Sequence, residues 1–242
     1  MTEIRNAAMG MHQLEDLTTM WGDHIDSAKW TCATQGLVPR DLVLRANSYL
    51  RDHQIDVSTG GLLERVTLGG PKAVHSFLDE CNELRFSIVE VSSGLAIMPL
   101  QSKLNLVKAV MAAGLRPKPE VAMTYGMDDN SVPADIDFLL REIEVFLEAG
   151  VDKIMIEEDG VFRYVAEFNS ALVHRLIRVA GTEHLMFEAS DRKTAAWLLG
   201  TYGPEVNLFV DPRELPYVAA YRSGIWGDSN VWGRMAAFRE DG

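Results

Sequence analysis

Phe86-Ser87-Ile88-Val89-Glu90-Val91, Arg116-Pro117-Lys118-Pro119-Glu120-Val121, Lys153-Ile154-Met155-Ile156-Glu157-Glu158 and Leu185-Met186-Phe187-Glu188-Ala189 decide the fold. Three are short apolar runs and one is punctuated by prolines, yet all four reach a glutamate at nearly the same place. Each is followed by a loop and then a helical pattern. Short apolar runs alternating with amphipathic helices predict parallel strands joined by crossovers. In such sheets the loops after the strands' carboxyl ends carry the chemistry. Glu90, Glu120, Glu157 and Glu188 are therefore expected to face one another across a common mouth. A lone buried glutamate is costly, so four in register point to a bound cation or a substrate that needs them. The competing reading is that some of them only bridge to neighbouring Lys or Arg.

Outward from these runs the same alternation continues. Glu3-Ile4-Arg5 reads as a short first strand, Ile25 to Trp30 as a second carrying Lys29, Ile55 to Ser58 as a third and Val206 to Val210 as the last. Helical patterns fill the gaps: Met11 to His24, Pro39 to Asp52, Pro71 to Leu84, Pro99 to Ala113, Ala134 to Ala149 and Val165 to Ala180. A further helix follows the capping pair Ser190-Asp191, and Pro216 delays the final one, which Gly224 ends. Most strand starts lie about 30 residues apart. Eight strands alternating with eight helices predict an α/β protein, a (β/α)8 TIM barrel forming a single domain over residues 1–242. An open doubly wound sheet is the alternative. No Gly-x-Gly-x-x-Gly turn or P-loop follows any strand to support it.

Composition narrows the function. With 47% hydrophobic and 24% charged residues the chain is ordinary for a globular protein. Its net charge of −12 disfavours nucleic acid and anionic membranes as partners, so an anionic substrate needs a local cationic pocket or a metal. Cys32 and Cys81 share no motif and read as free thiols, Cys81 on an apolar helix stripe. No apolar run reaches the ~18 residues of a membrane span, and the start lacks a signal-peptide core. A soluble, cytoplasmic protein is expected.

On the barrel, Lys29 and Lys118 join the four glutamates at the carboxyl-end face. Oxygen-only ligands suit a hard cation, Mg2+ above all. Zinc motifs and a Gly-x-Ser-x-Gly elbow are both missing. A lysine beside a metal-bound carboxylate is suited to moving a proton next to a carbonyl, to forming a Schiff base, or merely to neutralising the cluster. Thr59-Gly60-Gly61 lets backbone approach a ligand, or simply makes a turn. The polar loop from Tyr125 to Pro133 is a candidate lid, and His174 reads as a packed or surface residue.

Several segments, in order, resemble the phosphosulfolactate synthase family over Asp23 to Asp228. They are Ile25-Asp26-Ser27-Ala28-Lys29-Trp30, Gly60-Gly61 with Leu63-Glu64, Val89-Glu90-Val91-Ser92-Ser93-Gly94 and Lys118-Pro119-Glu120-Val121. Ile154-Met155-Ile156-Glu157, Phe187-Glu188-Ala189, Val206-Asn207-Leu208 and Gly224-Ile225-Trp226-Gly227-Asp228-Ser229 complete the set. The resemblance implies a (β/α)8 barrel and Mg2+-dependent addition of sulfite to phosphoenolpyruvate. By matching position Lys29 is the expected acid and Glu90 its orienting partner. Glu120, Glu157 and Glu188 are the expected metal or metal-water ligands. Substrate-binding candidates are Arg5, Gly60, Gly61, Lys118, Arg192, Asn207, Gly227 and Asp228. The expected partner is a small anionic carboxylate. The resemblance and the aromatic segment of Tyr217, Tyr221, Trp226 and Trp232 also suggest a homo-oligomer.

The departures bear on substrate. The family's Asp-Lys-Gly after the first strand is replaced by Ile4-Arg5-Asn6-Ala7-Ala8, and its Lys-Phe-Gly-Trp-Gly-Thr by Lys29-Trp30-Thr31-Cys32-Ala33-Thr34. Trp226 stands where the family has Arg, and Arg192 is retained as a cation after the Glu188 strand. Losing a charged hydrogen-bonding partner costs about 1.5–3 kcal/mol, so weakened phosphate binding and an unphosphorylated or bulkier apolar substrate are expected. Because the family includes plant proteins linked to heat tolerance, a barrel kept as a stability or interaction module is the second expectation. In that case the glutamates would be salt-bridged and the mouth closed.

Overall fold

The computed structural model describes residues 1–6, 9–93, 98–121, 124–125, 132–133, 136–157 and 170–227. Its strands, in chain order, are Thr2–Arg5 (β1), Ser27–Lys29 (β2), Asp56–Ser58 (β3), Ile88–Val91 (β4), Arg116–Val121 (β5), Thr124–Tyr125 (β6), Val132–Pro133 (β7), Ile154–Ile156 (β8), Leu185–Ala189 (β9) and Asn207–Val210 (β10). β6 and β7 pair antiparallel as a separate ribbon, at the two ends of the loop read as a lid. Asp128-Asp129-Asn130 within that loop lies outside the described residues. The other strands close into a parallel barrel in the order β1-β10-β9-β8-β5-β4-β3-β2. This is the single-domain (β/α)8 barrel predicted, and closure leaves no strand edge open.

The helices are Met11–Trp21 (α1), Arg40–Asp52 (α2), Leu62–Thr67 (α3), Pro71–Glu83 (α4), Leu100–Ala112 (α5), Ile136–Glu148 (α6), Ser170–Ala180 (α7), Arg192–Tyr202 (α8) and Leu215–Arg222 (α9). α3 has no counterpart in the sequence reading; its six residues are too few to show a helical period. Asp191 caps α8 as expected, accepting from the Thr194 backbone N–H at 2.9 Å. Pro216 occupies the first turn of α9, where its missing N–H is harmless. Among the described residues no helix is long and apolar enough to cross a membrane.

Strand alternation divides the core in two. Val57, Val89, Val91, Ile154, Ile156, Leu185, Phe187, Leu208 and Val210 join the large cluster shared with the helices. Met155, Met186 and Phe209 form a second buried cluster on the opposite strand face, inside the barrel, with Met1 packed against it. Along β8 and β9 the next inward positions above these methionines are Glu157 and Glu188.

Candidate active site

The barrel interior is charged where it meets the carboxyl ends of the strands. Glu3 and Arg5 share one face of β1, and the register sets Arg5 beside Lys29, Lys29 beside Ser58, and Glu90 beside Lys118. Lys29 Nζ lies 2.6 Å from Glu90 Oε2 and 3.4 Å from Glu120 Oε2. Lys118 Nζ pairs with Glu3 Oε2 and stands 3.8 Å from Glu90 Oε2. Ser27 donates to Glu3 Oε1 at 3.0 Å. Nearer the rim, Arg5 pairs with Glu188 at 2.9 Å. The Phe209 ring lies beneath both cations, 4.8 Å from Lys29 Nζ and 5.2 Å from the Arg5 guanidinium carbon.

Four carboxylates (Glu3, Glu90, Glu120, Glu188) thus meet three cations (Arg5, Lys29, Lys118) before Glu157 is counted. Burial works against the Lys29 charge, but Glu90, then Glu120 and Glu3, outweigh it and hold the ammonium well above the usual lysine range. Burial pushes the Glu90 carboxyl up to about 7 even though Lys29 pulls the other way. The 2.6 Å Lys29–Glu90 approach is a close charge-assisted contact. Glu90 Oε2 thus faces two ammonium groups, Lys29 and Lys118.

The expected residues divide between the two ends of the barrel. Lys29, Glu90, Lys118, Glu120, Glu188 and Arg5 meet at the mouth, and Glu157 follows β8 there, half-buried. Arg192 sits on the rim at the start of α8, its guanidinium 3.3 Å from the Tyr217 ring centroid and its Nε donating to Glu214 at 3.2 Å. Gly60 adopts φ +58°, and a Cβ there would collide with the Trp30 carbonyl. A Cβ on Gly61 would come within 2.9 Å of Ser92 Oγ and 4.0 Å of Glu90 Oε1. Gly60 is therefore required by its positive φ and by the Trp30 carbonyl, and Gly61 packs close against the Ser92 hydroxyl.

Asn207 and Gly227 do not join them. Asn207 opens β10 at the amino end of the barrel, and its amide donates to the carbonyls of Thr182, Glu183 and Leu185 at 2.9, 3.2 and 2.9 Å. At the end of α9, Arg222 donates to the carbonyls of Met1, Pro204 and Val206, which precede β1 and β10. That end of α9 is thus at the amino-end face, and the Trp226 N–H donates to Ala220 within its last turn. Trp226 and Gly227 accordingly lie away from the mouth. Weakened phosphate binding does not follow from Trp226, because crossover helices run back toward the strand starts. Asp228 lies outside the described residues.

Sequence reasoning missed Glu3, which is wholly buried. A glutamate two residues before Arg5 on a strand shares its face, and that spacing was the available signal.

For Mg2+ the fit is partial. Glu120, Glu157 and Glu188 come from strands consecutive around the barrel and offer only oxygen, as a hard cation prefers. Glu120 is turned to Lys29 and Glu188 to Arg5, and no three potential ligands converge among the described residues. The set suits one or two direct carboxylate ligands, with substrate and water oxygens completing the shell, better than a three-carboxylate cage.

Fold and mouth together define a TIM barrel with a buried lysine–carboxylate centre at the carboxyl ends of its strands. The chain belongs to the (2R)-phospho-3-sulfolactate synthase (ComA) family, which matches residues 1–228. It is 30% identical to Protein HEAT-STRESS-ASSOCIATED 32 of Arabidopsis thaliana over 88% of this chain and 82% of that one. Its identity to the phosphosulfolactate synthase of Methanocaldococcus jannaschii is 27%, over 89% of this chain and 88% of that one. Among solved structures, 3-hexulose-6-phosphate synthase from Salmonella typhimurium superposes with a TM-score of 0.57 at 11% identity, covering 93% of this chain and 99% of that one. KGPDC from Streptococcus mutans gives 0.57 at 13%, covering 91% and 93%. At such identities these structures share the fold alone.

Proposed function

We propose that this barrel is a lyase of the phosphosulfolactate synthase type, adding sulfite or a related nucleophile to phosphoenolpyruvate or a similar enolpyruvyl carboxylate. The observation that carries the reading is Lys29, buried between Glu90 and Glu120 at the centre of the mouth, in a chain of this family. Sulfur attacks C3, the C2–C3 π pair moves to C2 and into the carboxylate as an enediolate, and a proton at C2 completes the addition. An ammonium held as firmly as Lys29 gives its proton only to a strong base, and enediolate carbon is one. Glu90, with a carboxyl pushed up to about 7, is suited to restoring that proton from solvent. Mg2+ bound by Glu120, Glu157 and Glu188, directly or through water, would supply stabilising charge to the enediolate. Arg5 and Arg192, on either side of the Ser190 turn after β9, are the cations available to the substrate's anionic groups, with Lys118 as a deeper counter-charge. Barrels commonly hold phosphate at these late loops.

The test is consumption of phosphoenolpyruvate with and without sulfite and Mg2+. Turnover that requires both is expected; none with either nucleophile-free or complete mixtures sinks the reading. We also propose a homo-oligomer, which sedimentation would check; exposed Ile225 and Trp226 are the apolar residues motivating it.

A second reading is a barrel without catalysis, serving stability or interaction. It is favoured by the heat-stress-associated relative and by the pairing of Glu120 and Glu188 with cations. Under it, Lys29→Met would alter thermal stability and nothing else.

A further inference from the structure

Lys118 and Glu90 are register partners on the neighbouring strands β5 and β4. Such strands lie about 4.8 Å apart, so this lysine and this glutamate are the pair that the register itself offers. The protein does not use it. Lys118 Nζ turns instead to Glu3 Oε2 and stays 3.8 Å from Glu90 Oε2. Glu90 takes Lys29 at 2.6 Å, reaching past β3 to β2.

The exchange of partners depends on Glu3. In the barrel order β1-β10-β9-β8-β5-β4-β3-β2, β5 stands opposite β1, so the Glu3–Lys118 bond spans the interior. Ser27, the register partner of Glu3 on β2, donates to Oε1 at 3.0 Å and leaves Oε2 for Lys118. Glu3 and Ser27 are wholly buried and Lys118 is 2% exposed. A Lys118 released from Glu3 needs to move only about 1 Å to reach charge-assisted hydrogen-bond distance of Glu90 Oε2. Two ammonium groups on one carboxylate oxygen repel each other. Lys29 has a second carboxylate to retreat to, Glu120 at 3.4 Å.

We propose that Glu3 is a positioning residue: by engaging Lys118 across the barrel it reserves Glu90 for Lys29. It touches no substrate and acts through Lys118 alone. The inference rests on the lyase reading for what the Lys29–Glu90 contact does, namely deliver a proton and restore it.

The test is Glu3→Gln, which keeps the Ser27 contact through its amide oxygen and offers Lys118 no charge. A crystal structure of the variant is expected to place Lys118 Nζ within about 3.0 Å of a Glu90 carboxylate oxygen, with Lys29 turned toward Glu120. Under the lyase assay kcat should fall by about tenfold, part of what an acid–base pair contributes. KM for phosphoenolpyruvate should stay within about twofold, since Arg5 and Arg192 are untouched. In a Lys118→Met background the same substitution should change kcat by less than about twofold, as the two residues act as a unit. An unmoved Lys118, an unchanged kcat, or an equal loss in the Lys118→Met background overturns the proposal. If Glu3→Gln alone does not fold, the double variant compared with Lys118→Met decides on the same terms. Failure of both to fold makes Glu3 a structural counter-ion and also overturns it. Absence of sulfite-dependent turnover in the parent protein sinks the lyase reading, and the crystal structure of Glu3→Gln then decides the placement of Lys118 by itself.

Discussion

Two lysine–glutamate pairs are buried in this barrel at the same 2.6 Å separation: Lys103 with Glu142, and Lys29 with Glu90. The first joins α5 to α6 on the outside of the sheet, is aligned as a hydrogen bond, and has side chains 6% and 2% exposed. The second lies inside the barrel at 8% and 2% exposure and is shared with Glu120 and Lys118. Distance and burial are therefore nearly equal, and company is what differs. A one-to-one pair satisfies itself and fixes two helices. A lysine among several carboxylates leaves acceptor capacity over, and that surplus is what chemistry at the mouth can use.

The comparison breaks most visibly at Lys29. On the lyase reading Lys29→Met should lower turnover on the order of 10³-fold, toward the upper range for loss of an acid–base group. Stability should change little, because Glu90 can take up a proton once its cation is gone. Turnover per folded molecule and thermal melting check both halves. An unfolded variant with full activity in its folded fraction would make Lys29 a structural counter-ion like Lys103.

The outer pair should behave in the opposite way. Lys103→Met strands Glu142 between helices, and removing one partner of a buried pair costs about 3–5 kcal/mol. Adding Glu142→Leu should recover most of that loss, since an apolar replacement of both partners is often neutral. Denaturant unfolding measures the stability, and turnover per folded molecule should stay at the parent value throughout.

Much of this was legible in the sequence, for physical reasons that also mark where legibility ends. Ile154-Met155-Ile156 and its counterparts announce strands because a run buried on both faces must be apolar, and the glutamate closing each run announces the mouth. Glu3 stayed hidden because its partner Lys118 is 115 residues away in the chain. In Thr2-Glu3-Ile4-Arg5 alone, the charges look like those of a solvated strand. Asn207 was read within the right strand and offered to the substrate, yet as the first residue of β10 it sits at the amino end of the barrel. The sequence left open on which side of the barrel Trp226 lies, because the return of a crossover helix is a consequence of barrel topology that no local motif carries.

Glu90 allows a pH test that separates the two pairs. Burial raises its carboxyl from an ordinary 4.5 to about 7 in the folded protein, Glu120 adding to the rise and Lys29 and Lys118 opposing it. Between those values the folded chain keeps a proton that the unfolded chain has released. Stability from that proton is complete below about pH 4.5 and is lost as pH rises through about 7. Glu90→Gln has no such proton to lose. Wild-type stability relative to Glu90→Gln should therefore decline across this window; a difference that stays flat from pH 4.5 to 7 would mean that Glu90 is ionised throughout.

The smallest effect is expected at Trp226, and it tests the boundary of the site itself. Where the family has arginine this chain has a tryptophan, 60% exposed, bonded through its backbone to the last turn of α9. That turn is anchored by Arg222 to the carbonyls of Met1 and Val206 at the strand starts. Strand length alone, at about 3.3 Å per residue, separates this face from Arg5 and Arg192. A guanidinium restored here should therefore add no hydrogen bond to an anion in the same chain's mouth. Trp226→Arg is expected to change KM for phosphoenolpyruvate by less than about twofold, whereas Arg5→Ala should raise it by about tenfold, the size of one lost charged hydrogen bond. Steady-state kinetics on the two variants decide it. A tenfold fall in KM for Trp226→Arg would mean that a second copy of the chain brings this segment to the mouth, and the site would have to be redrawn across two subunits.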